Sequence, residues 1–467
     1  MSKSYIFIPE FTETSLEDKS LKPEVMAALF ARFSRTGDGM KKILADVKSL
    51  DFNDTEEMVK RILKFIDYGH ASIGGLTGGI GVGTDQISML EPYLSFFLQS
   101  KQDGQETSTR YCEFKPEGLA HPSDFNVPKR FHNDWYKVML EGFEISSLVN
   151  KRLDMIISQK PELAGIPEGA PEKVANRMKK NYGFDRARYT LPLPALTNFG
   201  LIMTAREWAD TLKYVVASPI KGTKDWAEDI TDQMKKPLPN LMKHAGSREM
   251  TKAYMKNFFE RGVKYIKKNG VNTEYLPDEV ITNVQLPVKS GIIDENLSVE
   301  ERISNAFEGK ENRYDIPKGY PQKINVSTYW NNMAFAEARD INRQRPCAKD
   351  TLFAPHGFYM APEMEEAINY LGLKERYQRL QEKRSTLMTN LANSENPESY
   401  VSAMFLGDQS PFELHTDAAH MTYILELRTG MGVHFRYDQH MRQAFDKFEK
   451  QLPEWTKHVV LGTGEPE

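Results

Sequence analysis

Between Asn269 and Gly319 the chain loses the periodicity it carries almost everywhere else, and that interruption limits what it can fold into. The stretch holds Pro277, Pro287 and Pro317 among Gly, Asn and Asp residues, so it reads as a linker or domain boundary. With 467 residues the chain has room for two or three domains, and the interruption divides it into 1–275 and 276–467. On both sides apolar residues recur at helical spacing. Lys22 to Thr36 carries Val25, Met26, Leu29, Phe30 and Phe33 on one stripe. A second helix begins at Asn53-Asp54, with Glu56 and Glu57 in its first turn, and stops at Gly69. Phe131 to Lys160 predicts a long amphipathic helix, Glu168 to Asn181 a shorter one, and Thr204 to Val216 another. Asp225 to Lys268 holds two or three more. Beyond the interruption, helices are predicted over Asn331–Arg345, Pro362–Ser394 with a break near Gly372, Thr416–Arg428 and Val433–Leu452.

Strands are fewer. Ile324 to Trp330 reads as one, and Ala187 to Pro194 as an extended segment, because Pro192 and Pro194 disfavour helix before them. Glycines cluster from Gly69 to Gly83 without a Gly-Lys-Ser/Thr ending, which argues against a nucleotide P-loop. Tight turns, or a strand approached closely by a neighbour, account for them better. Mixed helix and strand make the class α+β. The order of elements recurs on both sides of the interruption, and helices 204–216 and 416–428 hold corresponding places. Residue identity between the halves is too low for spacing alone to establish a repeat.

The net charge of -4 and pI near 6.3 give no electrostatic case for non-specific nucleic-acid binding, and leave room only for a local basic groove. The start, Met1 to Thr12, lacks a signal-peptide pattern, and no apolar run reaches bilayer length, so a cytoplasmic protein without membrane association is expected. Two cysteines, Cys112 and Cys347, exclude a disulfide framework, and no His-Glu-x-x-His, Cys-x-x-Cys or EF-hand pattern points to a metal.

What remains conspicuous is arginine beside hydroxyls, prolines and helix ends: Arg110, Arg188, Arg206, Arg339, Arg343, Arg345, Arg428 and Arg436. The run Gln105-Glu106-Thr107-Ser108-Thr109-Arg110-Tyr111 combines an amide, a carboxylate, hydroxyls, a guanidinium and a phenol, a set able to hold a sugar and a phosphate together.

Within that run, Ser108-Thr109-Arg110-Tyr111, with Glu106 two before the serine, resembles the end of the signature of the flavin-dependent thymidylate synthases, Arg-His-Arg followed after a gap by Ser-x-Arg-Tyr. Gln105 stands at that family's asparagine position. Gly69-His70-Ala71-Ser72 resembles its Gly-His-x-Ser/Thr, Ala187-Arg188-Tyr189-Thr190-Leu191-Pro192-Leu193 its Ala-Arg-x-x-Leu-Pro-Leu, and Thr204-Ala205-Arg206 its Asn-Ala-Arg. The first half departs at Leu98-Gln99-Ser100, where Arg-His-Arg belongs, at Leu76 for a second histidine, and at Val215 for a helix-ending arginine. The second half supplies these: Ala336 to Arg345 resembles the helix leading into Arg-His-Arg, with Gln344 for the histidine, and Tyr423 to Thr429 resembles the helix carrying the terminal arginine as Arg428. The losses are complementary, as in a fused tandem of two diverged copies.

The resemblance implies two units of that family's fold, each a mixed sheet packed with long helices. It implies C5 methylation or hydroxymethylation of a pyrimidine deoxynucleotide, dUMP by default, with FAD as cofactor, NADPH as reductant and methylenetetrahydrofolate as carbon donor. It carries nucleotide contacts onto Glu106, Ser108, Arg110, Arg188 and Arg428, flavin contacts onto His70, Ser72, Arg206, Arg343, Gln344 and Arg345, and catalysis onto Arg428 and Arg343. Sites between subunits imply a homo-oligomer, here a dimer of tandem chains. Two alternatives stand beside this: a homologue acting on another pyrimidine or with another donor, and a protein that binds nucleotides or nucleic acid without turnover.

Overall fold

The structure is a computed structural model that describes residues 2–10, 21–33, 52–64, 75–166, 168–288 and 296–462, with a few positions between 42 and 49. In chain order the elements are β1 (Lys3–Phe7), α1 (Pro23–Phe33), α2 (Phe52–Leu63), β2 (Ile80–Ser88), α3 (Leu90–Leu98), β3 (Asp103–Glu106), α4 (His132–Gln159), α5 (Glu172–Ala187), β4 (Leu196–Met203), α6 (Ala205–Val215), α7 (Lys221–Lys235) and α8 (Glu249–Asn269). There follow β5 (Val280–Gln285), α9 (Val299–Phe307), β6 (Asn325–Ala334), α10 (Phe335–Ile341), β7 (Ala348–Thr351), β8 (Gly357–Phe358), α11 (Pro362–Tyr370), α12 (Lys374–Ala392), β9 (Asp408–Asp417), α13 (Ala418–Arg428), α14 (Phe435–Gln451) and α15 (Pro453–Thr456). The fold is α+β, with two antiparallel sheets.

Two compact units share these elements, and the chain passes between them several times. One comprises 1–107, 117–126 and 194–259; the other comprises 108–116, 127–193 and 260–467.

In the first unit the strand order is β1-β2-β4-β3. One face of the sheet packs Ile80, Val82, Phe199, Leu201 and Met203 against Trp208 and Leu212 of α6 and Trp226 and Ile230 of α7. Alternation along β4 is the reason: its even-spaced apolar residues point inward while Asn198 and Ile202 stay exposed. Thr204 and Glu207 close a capping box that starts α6, and the enclosed Trp208 donates from Nε1 to the Ile80 carbonyl at 2.9 Å. Gly69 and Gly74 lie outside the described residues; of the later glycines, Gly81 and Gly83 lie in β2, and a Cβ on Gly81 would lie 3.2 Å from Phe7 Cβ, the close approach that was expected. Strand β3 escapes sequence detection because it is four residues long and contains Gly104. A Cβ there would sit 2.6 Å from the Gly200 carbonyl, so only glycine lets β3 lie this close to β4.

In the second unit the order is β5-β6-β9-β7, with β8 also on β9. Trp330, Phe412 and Leu414 form a core with Ile424 and Leu425 of α13, Met441 and Phe448 of α14, and Trp455. A wholly enclosed ion pair, Arg384 of α12 to both oxygens of Asp408 at 2.7 and 2.8 Å, fixes the start of β9.

Three sequence expectations change here. The expected linker contains strand β5 and helix α9, which a Ser298–Glu301 capping box begins; residues 289–295 lie outside the described set. The helix expected over 331–345 is mostly strand and loop, because β6 continues to Ala334 through a bulge at Asn331-Asn332. Those side chains satisfy the bulge: Asn331 accepts from the Glu279 amide at 2.7 Å and Asn332 donates to the Pro277 carbonyl at 2.9 Å. Third, Arg188–Thr190 is a 3-10 turn, and extension begins only at Leu191.

With the two-residue β8 set aside, the two sheets share one plan: first strand, second, fourth, third. Their bulges fall at the same step. Thr84 faces Phe199 before the bulge and Ile87 faces Thr197 after it; Trp330 faces Phe412 and Met333 faces Ser410. The third strands match too, with Glu106 opposite Phe199 and Thr351 opposite Phe412. Each fourth strand leads into an 11-residue helix, N-capped by Thr204 or Asp417, and the last residues of those helices are Val215 and Arg428.

Candidate functional site

Residues from four motif segments meet in the second unit. The turn after Thr107 is wound on Ser108, whose carbonyl accepts from the amides of Tyr111 and Cys112 at 3.2 and 3.0 Å. Its hydroxyl accepts from the Arg110 amide at 3.1 Å. This turn sends Arg110 inward. The guanidinium grips Asp185 of α5 with Nε at 2.8 Å and Nη2 at 2.9 Å, and donates to the Tyr437 hydroxyl at 2.8 Å and the Gly432 carbonyl at 3.1 Å. Four of its five N–H groups are thus used within the protein. Burial opposes its charge, but Tyr437 and Asp185 outweigh burial and raise its pKa. Asp185 is held in turn from its backbone: His434 donates from Nε2 to its carbonyl at 3.1 Å, while Nδ1 accepts from the Arg436 amide at 3.1 Å. Burial, then Arg188 and Arg110, depress His434 well below its ordinary pKa, so this imidazole is neutral.

Arg188, in the turn after α5, is 2% exposed. It donates to Thr109 Oγ1 at 3.1 Å and lies 3.6 Å from Asp340 Oδ2 and 3.9 Å from Glu337 Oε1. Its Nε and Nη2 make no hydrogen bond. Arg188 and Thr109 line a cavity of about 20 Å³ with Cys112, Ser146 and Asn150, room for about one water.

From the other side comes α13. Arg428 donates to the Asp340 carbonyl at 3.1 Å, and Gln344, with its amide oxygen turned to the guanidinium, accepts from Arg428 Nε at 2.7 Å. The Tyr437 ring stands between two cations, 5.8 Å from the Arg110 guanidinium carbon and 5.4 Å from that of Arg428. Asp340 sits at the focus. Burial alone would raise its pKa; Arg188, Arg428, Arg343 and Arg110 together hold it below the usual carboxylate value.

Of the remaining expected residues, Arg343 bears on Asp340 and the others fall elsewhere. Glu106 ends β3 in the first unit, on the rim of a groove of about 500 Å³ lined by Tyr5, Phe7, Gly83 and Asn198. Arg206 is exposed in the first turn of α6. Arg343 and Arg345 are half-buried beyond α10. His70 and Ser72 lie outside the described residues. Sequence reasoning missed Asp185, Glu337, Asp340, Tyr437 and His434. The one available signal was spacing: Asp185 precedes Arg188 by a helical turn, and Asp340 lies inside the segment leading to Arg343. Among the described residues no cluster of His, Cys, Asp and Glu is placed to hold a metal, and no helix is long and apolar enough to cross a membrane.

This arrangement can stabilise negative charge. Its cations are fixed by carboxylates and ring faces before any ligand arrives, so little reorganisation is needed.

No family model and no curated protein matches the chain. Among solved structures the chain is similar to a UMP/dUMP methylase, PolB, from Streptomyces cacaoi, bound with 5-Br dUMP; identity is 12%, the alignment covers 52% of this chain and 95% of that one, and the TM-score is 0.31.

Proposed function

We propose that the chain alkylates carbon 5 of a pyrimidine deoxynucleotide, dUMP by default, in a flavin-dependent reaction with methylenetetrahydrofolate as carbon donor. One observation carries the reading: Arg110, Arg188, Arg343 and Arg428, which the motif resemblance picks out from both halves of the sequence, all bear on Asp340. The shared strand order and register support the companion reading, that the halves are diverged copies with complementary losses.

In this reading Arg188 receives the phosphate, through the Nε and Nη2 that make no hydrogen bond in the protein, and the one-water cavity beside it widens to admit the group. Arg428 faces the uracil and stabilises the negative charge that spreads over the ring carbonyls as carbon 5 becomes nucleophilic. Tyr437 and Gln344 keep that guanidinium in place. The donor set fits the anionic part of FAD: Arg343 and Arg345 are cationic and half-buried, and they would hold its pyrophosphate. When bound, the flavin would supply the redox chemistry, with NADPH as reductant.

A second reading, nucleotide binding without turnover, is favoured by the internal commitment of Arg110 to Asp185 and by Gln344 in the histidine's place. Tritium release from carbon-5-labelled dUMP, with FAD, NADPH and methylenetetrahydrofolate supplied, separates the two. Release that falls at least 100-fold in Arg428→Ala, the scale of a lost charge-stabilising donor, supports the enzyme. Bound dUMP with no release leaves the second reading. Failure to bind any pyrimidine monophosphate, read by mass spectrometry after soaking, overturns both.

A further inference from the structure

We propose that Glu337 is a positioning residue: its carboxyl group competes with the anionic ligand for the Arg188 guanidinium. The inference rests on the nucleotide reading of the site and deepens it. Glu337 lies in the first turn of α10 and is 0% exposed. Its Oε1 accepts from the Tyr189 hydroxyl at 2.8 Å and stands 3.9 Å from Arg188 Nη2, while Oε2 makes no hydrogen bond. Tyr189 therefore clamps one oxygen on the side of Arg188 that Asp340 does not cover. The charged and titratable groups bearing on the carboxyl are Arg188 and Tyr189 from the turn after α5, Arg436 from α14, Asp278 from the segment before β5, and Tyr359 after β8.

Burial pushes the carboxyl up to about 7, against Arg436, Arg188 and the Tyr189 hydrogen bond, which pull it down. Near neutrality the group is therefore shared between two states. Protonated, it leaves Arg188 to Asp340 and to an incoming phosphate. Ionised, it adds a second negative charge against the same guanidinium and repels the phosphate. Anion affinity at Arg188 thus falls as pH rises through the titration of Glu337, and by reciprocity a bound anion makes Glu337 hold its proton more tightly.

The test is calorimetric titration of the full chain with dUMP from pH 6 to 8.5, in wild type and Glu337→Gln. Glutamine keeps the shape and the acceptor for Tyr189 but carries no charge. Taking the ratio of the two affinities at each pH removes the ligand's own phosphate titration. The wild-type affinity should fall about tenfold relative to the variant across this range, the size of a one-unit coupling. A carboxyl that only braces the fold would shift the ratio equally at every pH, and that flat ratio overturns the inference. A second measurement needs no nucleotide: the infrared difference between wild type and Glu337→Gln should show a protonated carboxyl band that disappears through neutrality. A band already absent at pH 6 also overturns it. If neither protein binds dUMP at any pH, the nucleotide reading falls and takes the positioning role with it; a flat ratio with dUMP bound sinks the role of Glu337 alone.

Discussion

The grip of Arg110 on Asp185 lends itself to a double-mutant cycle. Arg110→Met removes a guanidinium that makes two parallel bonds to Asp185, one to the Tyr437 hydroxyl and one to the Gly432 carbonyl. The side chains of the pair are only 9% and 7% exposed, so water does not replace the lost partner. Asp185 is left as a buried anion, and breaking such a pair costs about 3–5 kcal/mol. Asp185→Leu strands the guanidinium instead, at a smaller cost, because Tyr437 and Gly432 still accept from it. The double variant Arg110→Met/Asp185→Leu buries no unpaired charge and should recover most of the loss, giving a coupling of at least about 2 kcal/mol. Urea unfolding of the full chain, followed by fluorescence, reads all four corners. A double variant no more stable than Arg110→Met would refute the idea that the pair is what holds Arg110. The same variants address the ligand. If Arg110 serves the site only through Asp185, the double variant that still folds binds dUMP within about threefold of wild type, less than the tenfold that 1.4 kcal/mol would give.

Other consequences are equally direct. Arg384→Met leaves Asp408 fully enclosed with only the Phe405 amide donating to its side chain, and should cost about 3–5 kcal/mol of unfolding free energy; a loss under 1 kcal/mol by urea melt would argue against it. Gly104→Ala forces β3 off β4, since its Cβ would meet Leu201 Cδ2 at 2.3 Å and the Gly200 carbonyl at 2.6 Å. A loss of about 1–3 kcal/mol is expected, and an unchanged melting temperature would contradict it. Burial depresses His434 and His440 well below the ordinary value and His356 to about 4. The unfolded chain then takes up protons the folded chain does not, so stability is lost as pH falls below about 6.5, by up to about 1.4 kcal/mol per pH unit for each histidine. His440→Phe should lessen that slope by one histidine's share, and an identical slope between pH 6.5 and 5 would refute it.

Much of the helical scaffold was legible from apolar spacing, since α4, α6 and α14 each bury one stripe and α13 is enclosed on nearly all sides: all four begin and end within a few residues of where the sequence places them. The strands were less so. Strand β3 has four residues and a glycine, and β5 lies among prolines that read as a linker. In β6 the pair Asn331-Asn332 interrupts the alternation, and the Ala-rich segment that follows has high helix propensity, which tilted the whole stretch towards helix. The site divides the same way. Its arginines stand out as residue types, but their counter-ions do not. Asp185 sits in a strongly polar helix and looks like solvated surface; Glu337 lies beside alanines and shows no sign that it is enclosed. Tyr437 belongs to an amphipathic stripe and is indistinguishable from core until Arg110 and Arg428 are seen flanking it.

The bulge in β6 acts as a phase setter. It lies between Trp330 and Met333, one short step before α10 begins. A single residue added or removed there would leave the composition of the strand nearly intact, yet would rotate the face of α10 by about 100° relative to the sheet. Glu337 would leave its enclosure, Asp340 would leave its ring of guanidinium groups, and the segment from Arg343 to Arg345 would follow a different course. The charge balance of the cluster therefore depends on a count of residues in a strand that itself contributes no charge to it.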